Sequence, residues 1–355
     1  MRWDLYCRVV DNFGDAGVAW RLAADLAARG ERVRLAIDDP RPLAWMAPGG
    51  APGIEVSAWA DAPTPAADVI VELFGGGLPQ GAREAAAGSP SNPVLLNLEH
   101  LSAEPYVERS HGLPSPVTLP SGTALTTWFY YPGFTSRTGG LLRERDVLSR
   151  RAALDPASWA RSRGIEVRTG ERLASLFCYA NGAVGELLQA LARRPTLLLL
   201  APGPAADQAA HHLGSGLALA ALRAIRLPFL SQAEFDHLLW SCAINGVRGE
   251  DSLVRALWAG APFVWQLYPQ ADGAHAAKLE AFLDLFLAGA DNELARPLRS
   301  LFRRWNGVDE GAAPLEIPDT AATSTWAGHC RAFRDRLGEQ RELTAGLMEF
   351  VASKR

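Results

Sequence analysis

The sequence predicts an α/β protein with two Rossmann-like domains that face each other across a cleft. Its 355 residues exceed the roughly 250–300 at which a single hydrophobic core usually stops growing. In each half, short apolar runs with strand character alternate with segments of helical period, which is the pattern of successive βα units. We expect an N-terminal domain over residues 1–150 and a C-terminal domain over residues 151–334, with a final helix at about 335–355 packing back on the first domain.

The predicted strands form two groups on either side of a charged, irregular stretch at residues 139–172. In the first half they are residues 3–10, 33–37, 69–73, 94–98 and 126–131. In the second half they are residues 173–179, 196–200, 244–247 and 263–266. A loop at 11–17 and a helix at about 18–28 follow the first strand, and helices at 232–242 and 252–259 flank the strand at 244–247. Ligands of open α/β sheets bind outside the carboxyl ends of the strands, so functional residues are expected in the loops that follow them.

Composition disfavours several classes of protein. A formal net charge of -4 and the near absence of lysine provide no basic field for a polyanion, so nucleic acid is not an expected partner. The four cysteines are far apart and form no C-x-x-C pair, which predicts a reducing, cytoplasmic location without a zinc site. We find neither a signal-peptide pattern nor an apolar run close to the roughly 20 residues that cross a bilayer, so no membrane partner is expected. The sequence also lacks G-x-G-x-x-G after the first strand, the Walker loop and H-E-x-x-H.

Two carboxylates, Asp11 and Asp15, lie in the glycine-containing segment after the first predicted strand. A tight loop at the carboxyl end of a strand directs such side chains into the predicted cleft, where paired acids suit proton transfer. The alternative is structural, because an Asp just before the first helical turn is a common cap. A cap does not require a second carboxylate, so the catalytic interpretation is favoured.

An aromatic turn before the predicted helix at 232–242 is a candidate site for a planar base. Phe229 and Phe235 flank Gln232 in this turn. Two rings can stack on the faces of a pyrimidine while an amide hydrogen-bonds to its edge. Because a pair of phenylalanines is more often part of a hydrophobic core, spacing alone leaves both interpretations open.

The stretch Arg248-Gly249-Glu250-Asp251-Ser252 is the most informative part of the sequence. A glycine turn after a strand delivers Asp251 and Ser252 to the first turn of a helix, whose free N–H groups and positive end suit a diphosphate. Arg248 adds a charge-assisted contact, and Glu250 is available to hold a hydroxyl of a sugar. The alternative is an ordinary capped helix with a surface glutamate, which leaves the arginine and the paired acids unexplained.

Two further polar loops follow predicted strands. Tyr268 and Gln270, after the strand at 263–266, are predicted to close over a ligand of the second domain. Residues 97–104 and the aromatic segment 130–134, which follow successive strands, are candidates for the surface that holds a second substrate. The alternative is that Ser102 caps a short helix and the aromatic residues are part of the core. Two α/β domains with one ligand each indicate a two-substrate transferase, an inference that rests on fold analogy.

These motifs resemble those of the EarP family, the protein-arginine rhamnosyltransferases of bacterial elongation factor P. The matching segments, in chain order, are Val9-Val10-Asp11-Asn12-Phe13-Gly14-Asp15, Asn97-Leu98-Glu99, Leu176-Phe177-Cys178-Tyr179, Pro228-Phe229-Leu230-Ser231-Gln232 and Arg248-Gly249-Glu250-Asp251-Ser252. The resemblance runs from the first strand to about residue 283. It implies a GT-B-like fold, dTDP-β-L-rhamnose as the donor, and inverting transfer to one arginine of elongation factor P, without a metal or other cofactor.

The resemblance also implies roles for individual residues. Asp11 and Asp15 fall on the family's catalytic aspartates, and Glu250 falls on a third essential acid. The expected donor-binding residues are Phe13, Gly14, Tyr179, Phe229, Gln232, Phe235, Arg248, Asp251, Ser252, Tyr268 and Gln270. Ala180 and Gln266 depart from the residues usual in the family, which puts fine donor contacts in doubt and leaves the carboxylates intact. A nucleotide-sugar epimerase or hydrolase of similar fold and a non-catalytic sugar-nucleotide sensor stay open as alternatives.

Overall fold

The computed structural model describes residues 1–61, 67–269, 273–309, 314–318 and 320–355. The chain divides into two compact units. The first unit contains Met1–Glu144 and Leu337–Arg355, and the second contains Arg145–Arg336.

The first unit is built on a seven-stranded sheet. Its strands are β1 (Arg2–Cys7), β2 (Arg32–Ile37), β3 (Ile54–Ala58), β4 (Val69–Leu73), β5 (Val94–Leu98), β6 (Pro114–Thr118) and β7 (Ala124–Tyr130). The order across the sheet is β3-β2-β1-β4-β5-β7-β6, and all neighbours are parallel except β6 and β7. Every residue of β4 and β5 is buried, as expected for parallel strands covered on both faces. The helices between the strands are α1 (Asn12–Ala28), α2 (Leu43–Met46), α3 (Ala82–Ala87) and α4 (Pro105–Ser110).

The prediction of a loop at residues 11–17 is wrong, because α1 begins at Asn12. Glycine at position 14 costs a helix only about 1 kcal/mol, and an acid such as Asp15 is stabilised in a first turn by the helix dipole. Ala16 and Ala19 are fully buried, so the apolar face of the helix extends into the segment that composition assigns to a loop. Asp15 therefore lies on a helix, and β1 ends at Cys7, three residues before the predicted end.

The second unit contains a six-stranded sheet. Its strands are β8 (Arg172–Leu176), β9 (Thr196–Leu200), β10 (Ala218–Leu219), β11 (Leu222–Arg226), β12 (Ile244–Arg248) and β13 (Phe263–Gln266). The order is β10-β11-β9-β8-β12-β13, with only the β10 and β11 pair antiparallel. The helices are α5 (Val147–Ala153), α6 (Pro156–Ser162), α7 (Val184–Leu191), α8 (Pro204–Leu213), α9 (Gln232–Ser241), α10 (Gly249–Ala259), α11 (Ala274–Phe286), α12 (Asn292–Trp305) and α13 (Thr320–Gly338). The predicted strand at 173–179 is too long at its carboxyl end, because β8 ends at Leu176 and residues 177–179 follow it as a loop segment.

The last helix, α14 (Leu343–Lys354), belongs to the first unit. Leu343, Leu347 and Val351 on one face of it join the hydrophobic core formed by α1 and the central strands. Gly346 lets this helix approach the sheet closely, since a Cβ at that position would stand 2.6 Å from the hydroxyl oxygen of Tyr130. No helix in the described ranges is long and apolar enough to cross a bilayer.

The close approach of α14 generates a prediction on stability. Gly346→Ala is expected to lower the free energy of unfolding by about 1–3 kcal/mol, because the added methyl group overpacks the contact with Tyr130. The matched control is Gly328→Ala in α13, where a new Cβ would stand 3.9 Å from a terminal nitrogen of Arg331 and the higher helix propensity of alanine should stabilise by up to about 1 kcal/mol. Urea titration of both variants measures the change in the free energy of unfolding. Equal stabilisation by the two substitutions would contradict the close contact between position 346 and Tyr130.

Candidate functional site

Each sheet has one point at which the strand order reverses. In the first sheet the chain builds β1, β2 and β3 to one side and then places β4 and β5 on the other side of β1. In the second sheet β8, β9 and β11 run one way, and β12 and β13 run the other. Ligands of open α/β sheets bind at such switch points, outside the carboxyl ends of the strands. The candidate residues after β1, after β8 and at the end of β12 all lie at these two points.

Asp15 lies in the first turn of α1, and its carboxylate is fixed by the backbone. Oδ2 accepts hydrogen bonds from the N–H groups of Val10 at 2.8 Å and Asp11 at 2.9 Å. The residue is only 6 % exposed. Burial raises the pKa of the neighbouring Cys7 thiol, and the negative charge of Asp15 raises it further. The carboxylate thus holds the turn that leads into α1, and its position at the switch point is set by two hydrogen bonds.

Asp11 is at the N-cap position of α1, but its side chain does not cap the helix. Instead its carboxylate lies over Gly14, where a Cβ would stand 2.5 Å from Asp11 Oδ2. The Gly14 N–H donates to the Asp11 carbonyl at 2.6 Å, which closes the turn between the two aspartates. The ring of Phe13 packs edge-on against Trp45, with the ring centroids 5.4 Å apart. Gly14 is therefore the residue that leaves room for the Asp11 carboxylate.

A second polar group lies at the carboxyl ends of β4 and β5. Asn97 accepts a hydrogen bond from the Gly75 N–H at 3.3 Å and donates to Glu99 Oε1 at 2.7 Å. Burial raises the pKa of the Glu99 carboxyl, the charge of Glu72 adds to the effect, and His100 opposes it. Glu99 belongs to the stretch 97–104 that the sequence offers as a surface for a second substrate, and the structure places it after β5, at the carboxyl edge of the sheet.

In the second unit, the guanidinium of Arg248 lies against two aromatic rings. Its central carbon is 4.4 Å from the ring centroid of Phe177 and 4.4 Å from that of Tyr179. Phe235 packs edge-on against Phe177 at 5.5 Å, and Tyr268 packs edge-on against Tyr179 at 5.4 Å. These five side chains form a continuous row, which we call the aromatic row. It connects the candidate base site with the candidate diphosphate site.

Phe177 is the member of the aromatic row that sequence reasoning did not select. The signal that could have found it is its spacing, because residues i and i+2 of an extended segment point to the same side. Phe177 and Tyr179 have this spacing after β8. Arg248 is 7 % exposed. Its guanidinium therefore contacts the rings where little water competes, and cation–π contacts are strongest when the cation is desolvated.

The first turn of α10 carries the acids of the most informative motif. Gly249 has φ of 59°, a conformation that glycine adopts without strain, and its carbonyl accepts a hydrogen bond from Trp265 Nε1 at 2.7 Å. Helix α10 begins at this glycine, so Glu250 and Asp251 both lie in its first turn. The hydroxyl oxygen of Ser252 accepts from the Arg248 N–H at 3.0 Å, and the hydroxyl donates to the Arg248 carbonyl. The side chain of Ser252 therefore closes the turn.

The two phenylalanines of the predicted base site differ in their surroundings. Phe229 is 53 % exposed, whereas Phe235 is partly buried against the core below β8 and β9. Ser231 is the N-cap of α9, and its hydroxyl accepts from the Glu234 N–H at 3.3 Å. Gln232 is consequently the first residue of the helix. An accessible ring, an amide and a ring fixed by packing thus lie within the seven residues 229–235.

A buried ion pair fixes α9 to α10. Arg255 of α10 donates from Nε to Asp236 Oδ1 at 2.8 Å and from a terminal nitrogen to Oδ2 at 2.7 Å. The side chains are 0 % and 1 % exposed. Because α9 carries Gln232 and Phe235 of the candidate base site and α10 carries the acids, this bidentate pair sets the spacing between the two helices.

The residues after β13 complete this edge of the second sheet. Gln266, one of the departures from the family pattern, accepts a hydrogen bond from the Tyr179 N–H at 2.9 Å. It also donates to the Ala180 carbonyl at 3.4 Å, so the glutamine holds the segment after β8. Tyr268 is 48 % exposed, and Gln270 lies outside the described residues. Within the ranges described, no group of three or more His, Cys, Asp or Glu side chains is arranged to hold a metal ion.

Comparison with known proteins shows to which protein family the chain belongs. A family model described as Elongation-Factor P (EF-P) rhamnosyltransferase EarP matches residues 3–352. The chain belongs to the EarP family. A protein-arginine rhamnosyltransferase of Pseudomonas aeruginosa is 40% identical over 381 residues, which covers 99% of this chain and 98% of that protein. One of Pseudomonas putida is 41% identical over 377 residues, which covers 98% of each. The resemblance inferred from the motifs is confirmed.

Solved structures give the fold. The structure described as the basis for EarP-mediated arginine glycosylation of translation elongation factor EF-P has a TM-score of 0.69 and 31% identity, over 100% of this chain and 99% of that chain. The spinosyn rhamnosyltransferase SpnG, with a TM-score of 0.53 and 14% identity over 99% of this chain and 100% of that chain, shares the fold alone. The predicted class, a GT-B-like α/β fold with two Rossmann-like domains, is confirmed.

The predicted site residues that the structure describes fall into two groups, one in each unit. Asp11, Phe13, Gly14 and Asp15 lie together at the start of α1. In the second unit, contacts within the aromatic row bring together Tyr179, Phe235, Arg248 and Tyr268. Glu250, Asp251 and Ser252 follow Arg248 directly, and Phe229 and Gln232 lie on the turn that leads into Phe235.

The ion pair between α9 and α10 generates a prediction on stability. Asp236→Ala leaves the fully buried guanidinium of Arg255 without its bidentate partner, so the free energy of unfolding should fall by about 3–5 kcal/mol. The matched control is Asp207→Ala, because Asp207 pairs with Arg226 at 2.8 Å with 74% and 50% of the side chains exposed. Such a surface pair is worth about 0–1 kcal/mol. Chemical denaturation compares the two variants, and a similar small loss in both would contradict the proposed importance of the buried pair.

Proposed function

We propose that this protein transfers L-rhamnose from dTDP-β-L-rhamnose, with inversion and without a metal, to an arginine side chain of elongation factor P. Membership of the EarP family and the protein-arginine rhamnosyltransferases among its relatives support this proposal. The structural observation that supports the proposal most directly is the Asp15 carboxylate, which two backbone hydrogen bonds fix close to Asp11 at the switch point of the first sheet. Since elongation factor P acts in translation, we place the reaction in the cytoplasm.

An arginine acceptor explains why the first unit needs paired acids. Guanidinium is a cation with a pKa above about 12, and its nitrogen lone pairs are delocalised, so it is a poor nucleophile until it is oriented. In the proposal, Asp11 orients the guanidinium, and Asp15 holds the attacking nitrogen. The nitrogen forms a bond to C1 of the sugar as the bond from C1 to the diphosphate oxygen breaks. The electron pair leaves with dTDP, the nitrogen proton passes to Asp15, and displacement from the opposite face inverts C1.

The proposed donor site lies in the second unit. Phe229 and Phe235 stack on the thymine base, and Gln232 reads its edge. The diphosphate contacts Arg248 and the N–H groups at the start of α10, where Glu250 holds a sugar hydroxyl. Tyr179, Asp251, Ser252 and Tyr268 surround the diphosphate and the sugar, and Phe13, Gly14 and Gln270 remain predicted donor contacts.

In the proposal, the N-terminal end of α10 and Arg248 supply the positive charge that a metal ion supplies in many other transferases. As the bond to the diphosphate breaks, negative charge develops on the leaving group. A buried arginine and the positive end of α10 are aimed at the proposed position of that charge before the reaction begins, so no reorganisation is needed. We therefore propose that chelating agents do not reduce turnover.

The role of Asp15 can be separated from its structural contacts with one substitution. Asp15→Asn keeps an oxygen that can accept the N–H groups of Val10 and Asp11, so folding and donor affinity should stay close to wild type. Turnover should fall by about 10²-fold or more, because the amide does not take up a proton. Single-turnover rates in excess EDTA, calorimetry with dTDP-rhamnose and thermal unfolding measure the three quantities, and wild type should keep its rate in EDTA.

The matched control is Asp38→Asn, because Asp38 accepts a hydrogen bond from the Val9 N–H at 2.9 Å in the same segment and has no proposed catalytic role. It should keep full turnover. A fully active Asp15→Asn enzyme would show that the aspartate only holds the turn. Loss of the wild-type rate in EDTA that magnesium restores would contradict the metal-independent mechanism.

The base site generates a second prediction. Phe229→Ala should weaken dTDP binding by about tenfold, since a stacked ring contributes on the order of 1 kcal/mol beyond its buried area, and should leave stability nearly unchanged because the ring is half exposed. Phe235→Ala should weaken binding and stability together, because its ring packs on Phe177. Calorimetry and thermal unfolding test both, with Val167→Ala as a control at an exposed apolar residue of the same unit. Wild-type affinity for dTDP in both phenylalanine variants would contradict the proposal that the two rings stack on the base.

A further inference from the structure

The basic residues of this chain are almost all arginine. Of 35 basic side chains, only those of Lys278 and Lys354 are lysines. Lys354 lies on α14, where its ammonium is 3.7 Å from the ring centroid of Trp128. Lys278 lies on α11 and contacts the first turn of α10. One of the two lysines thus touches a predicted catalytic acid.

The contact is direct. Lys278 Nζ lies 2.8 Å from Glu250 Oε1, and the two side chains are 23% and 18% exposed. The residues are 28 positions apart, so the pair joins two helices that follow different strands. The carbonyl of Gly249, the residue before Glu250, is held by Trp265 Nε1. Two side chains from outside α10 therefore fix the backbone and the carboxylate at its first turn.

The first turn of α10 combines negative side chains with the proposed binding site of a negative ligand. Glu250 and Asp251 place two carboxylates at the helix end where the donor diphosphate is proposed to bind. Helix N-termini favour anions, but like charges within a few ångströms repel strongly where burial lowers the effective dielectric constant. Arg248 supplies one positive charge beside this turn. The ammonium of Lys278 supplies a second, at hydrogen-bond distance from the carboxylate.

Lysine suits this place for a physical reason. Its ammonium is a compact charge on a flexible stem, so it can reach a carboxylate on another helix. In the structure the ammonium contacts Oε1. A charge-assisted contact of this kind orients the carboxylate that is proposed to hold a sugar hydroxyl.

We propose that Lys278 is a positioning residue for the transfer reaction: its ammonium orients the Glu250 carboxylate toward the donor sugar and cancels its charge beside the diphosphate. The inference rests on the proposed function, because it takes the first turn of α10 as the donor site. Both side chains of the pair keep some contact with solvent, so loss of the ammonium should affect donor use more than stability.

The test uses Lys278→Met, which keeps the length of the side chain and removes its charge, and Lys278→Arg, which keeps the charge. Lys278→Met should raise the donor KM and the calorimetric Kd for dTDP-rhamnose by about tenfold, a loss typical of one charge-assisted contact, with an unfolding temperature close to wild type. Lys278→Arg should recover most of the affinity. The matched control is Lys354→Met, which removes the other lysine and should leave donor binding unchanged.

A double-mutant cycle separates positioning from a general effect of charge. In a Glu250→Gln background, Lys278→Met should have a much smaller effect than in wild type, since its proposed partner carries no charge there. Equal losses in both backgrounds would overturn the proposal. Unchanged donor binding in Lys278→Met, or a Lys278→Arg variant as weak as Lys278→Met, would overturn it as well. If wild type itself did not bind dTDP-rhamnose, the proposed function would fail, and this inference with it.

Discussion

The contact of the Arg248 guanidinium with the rings of Phe177 and Tyr179 is the interaction on which the candidate donor site depends. The rings follow β8 and the arginine ends β12, so the contact joins the two strands at the switch point of the second sheet. It fixes a cation beside the first turn of α10 and, through Phe235, connects this turn with α9. Because the rings already order the side chain of Arg248 in the folded protein, the arginine loses little conformational entropy when an anion binds.

The two units use the start of a helix in opposite ways. Both α1 and α10 follow a strand at a switch point. In α1 the protein's own Asp15 accepts the backbone N–H groups before the helix, which fixes a carboxylate at the sheet edge. In α10 the acids Glu250 and Asp251 lie in the first turn, with Arg248 directly before them and Lys278 paired to Glu250. The first arrangement holds in place a carboxylate that is proposed as a base, and the second balances charge where an anionic ligand is proposed to bind.

Several elements could be predicted from sequence because their cause is local. β4 and β5 match their predicted bounds, since an apolar run of this length bounded by turn residues is typical of a fully buried strand. The start of α1 was missed because Gly14 and Asp15 are typical of loops, whereas here burial of the following alanines extends the helix. Phe177 was missed because a ring after an apolar strand cannot be distinguished from a core residue by pattern. The pair of Lys278 with Glu250 joins distant positions, and no local spacing indicates it.

The central claim is that the chain modifies an arginine of another protein, and intact-mass and peptide mass spectrometry of elongation factor P test it most directly. Purified chain, dTDP-β-L-rhamnose and the factor are incubated together, with a factor carrying lysine in place of the modified arginine as the control. We expect the factor to gain the mass of one rhamnosyl group on a single arginine, with release of one dTDP for each group transferred and no gain in the lysine control. An unmodified factor in the presence of bound or hydrolysed donor would contradict the account.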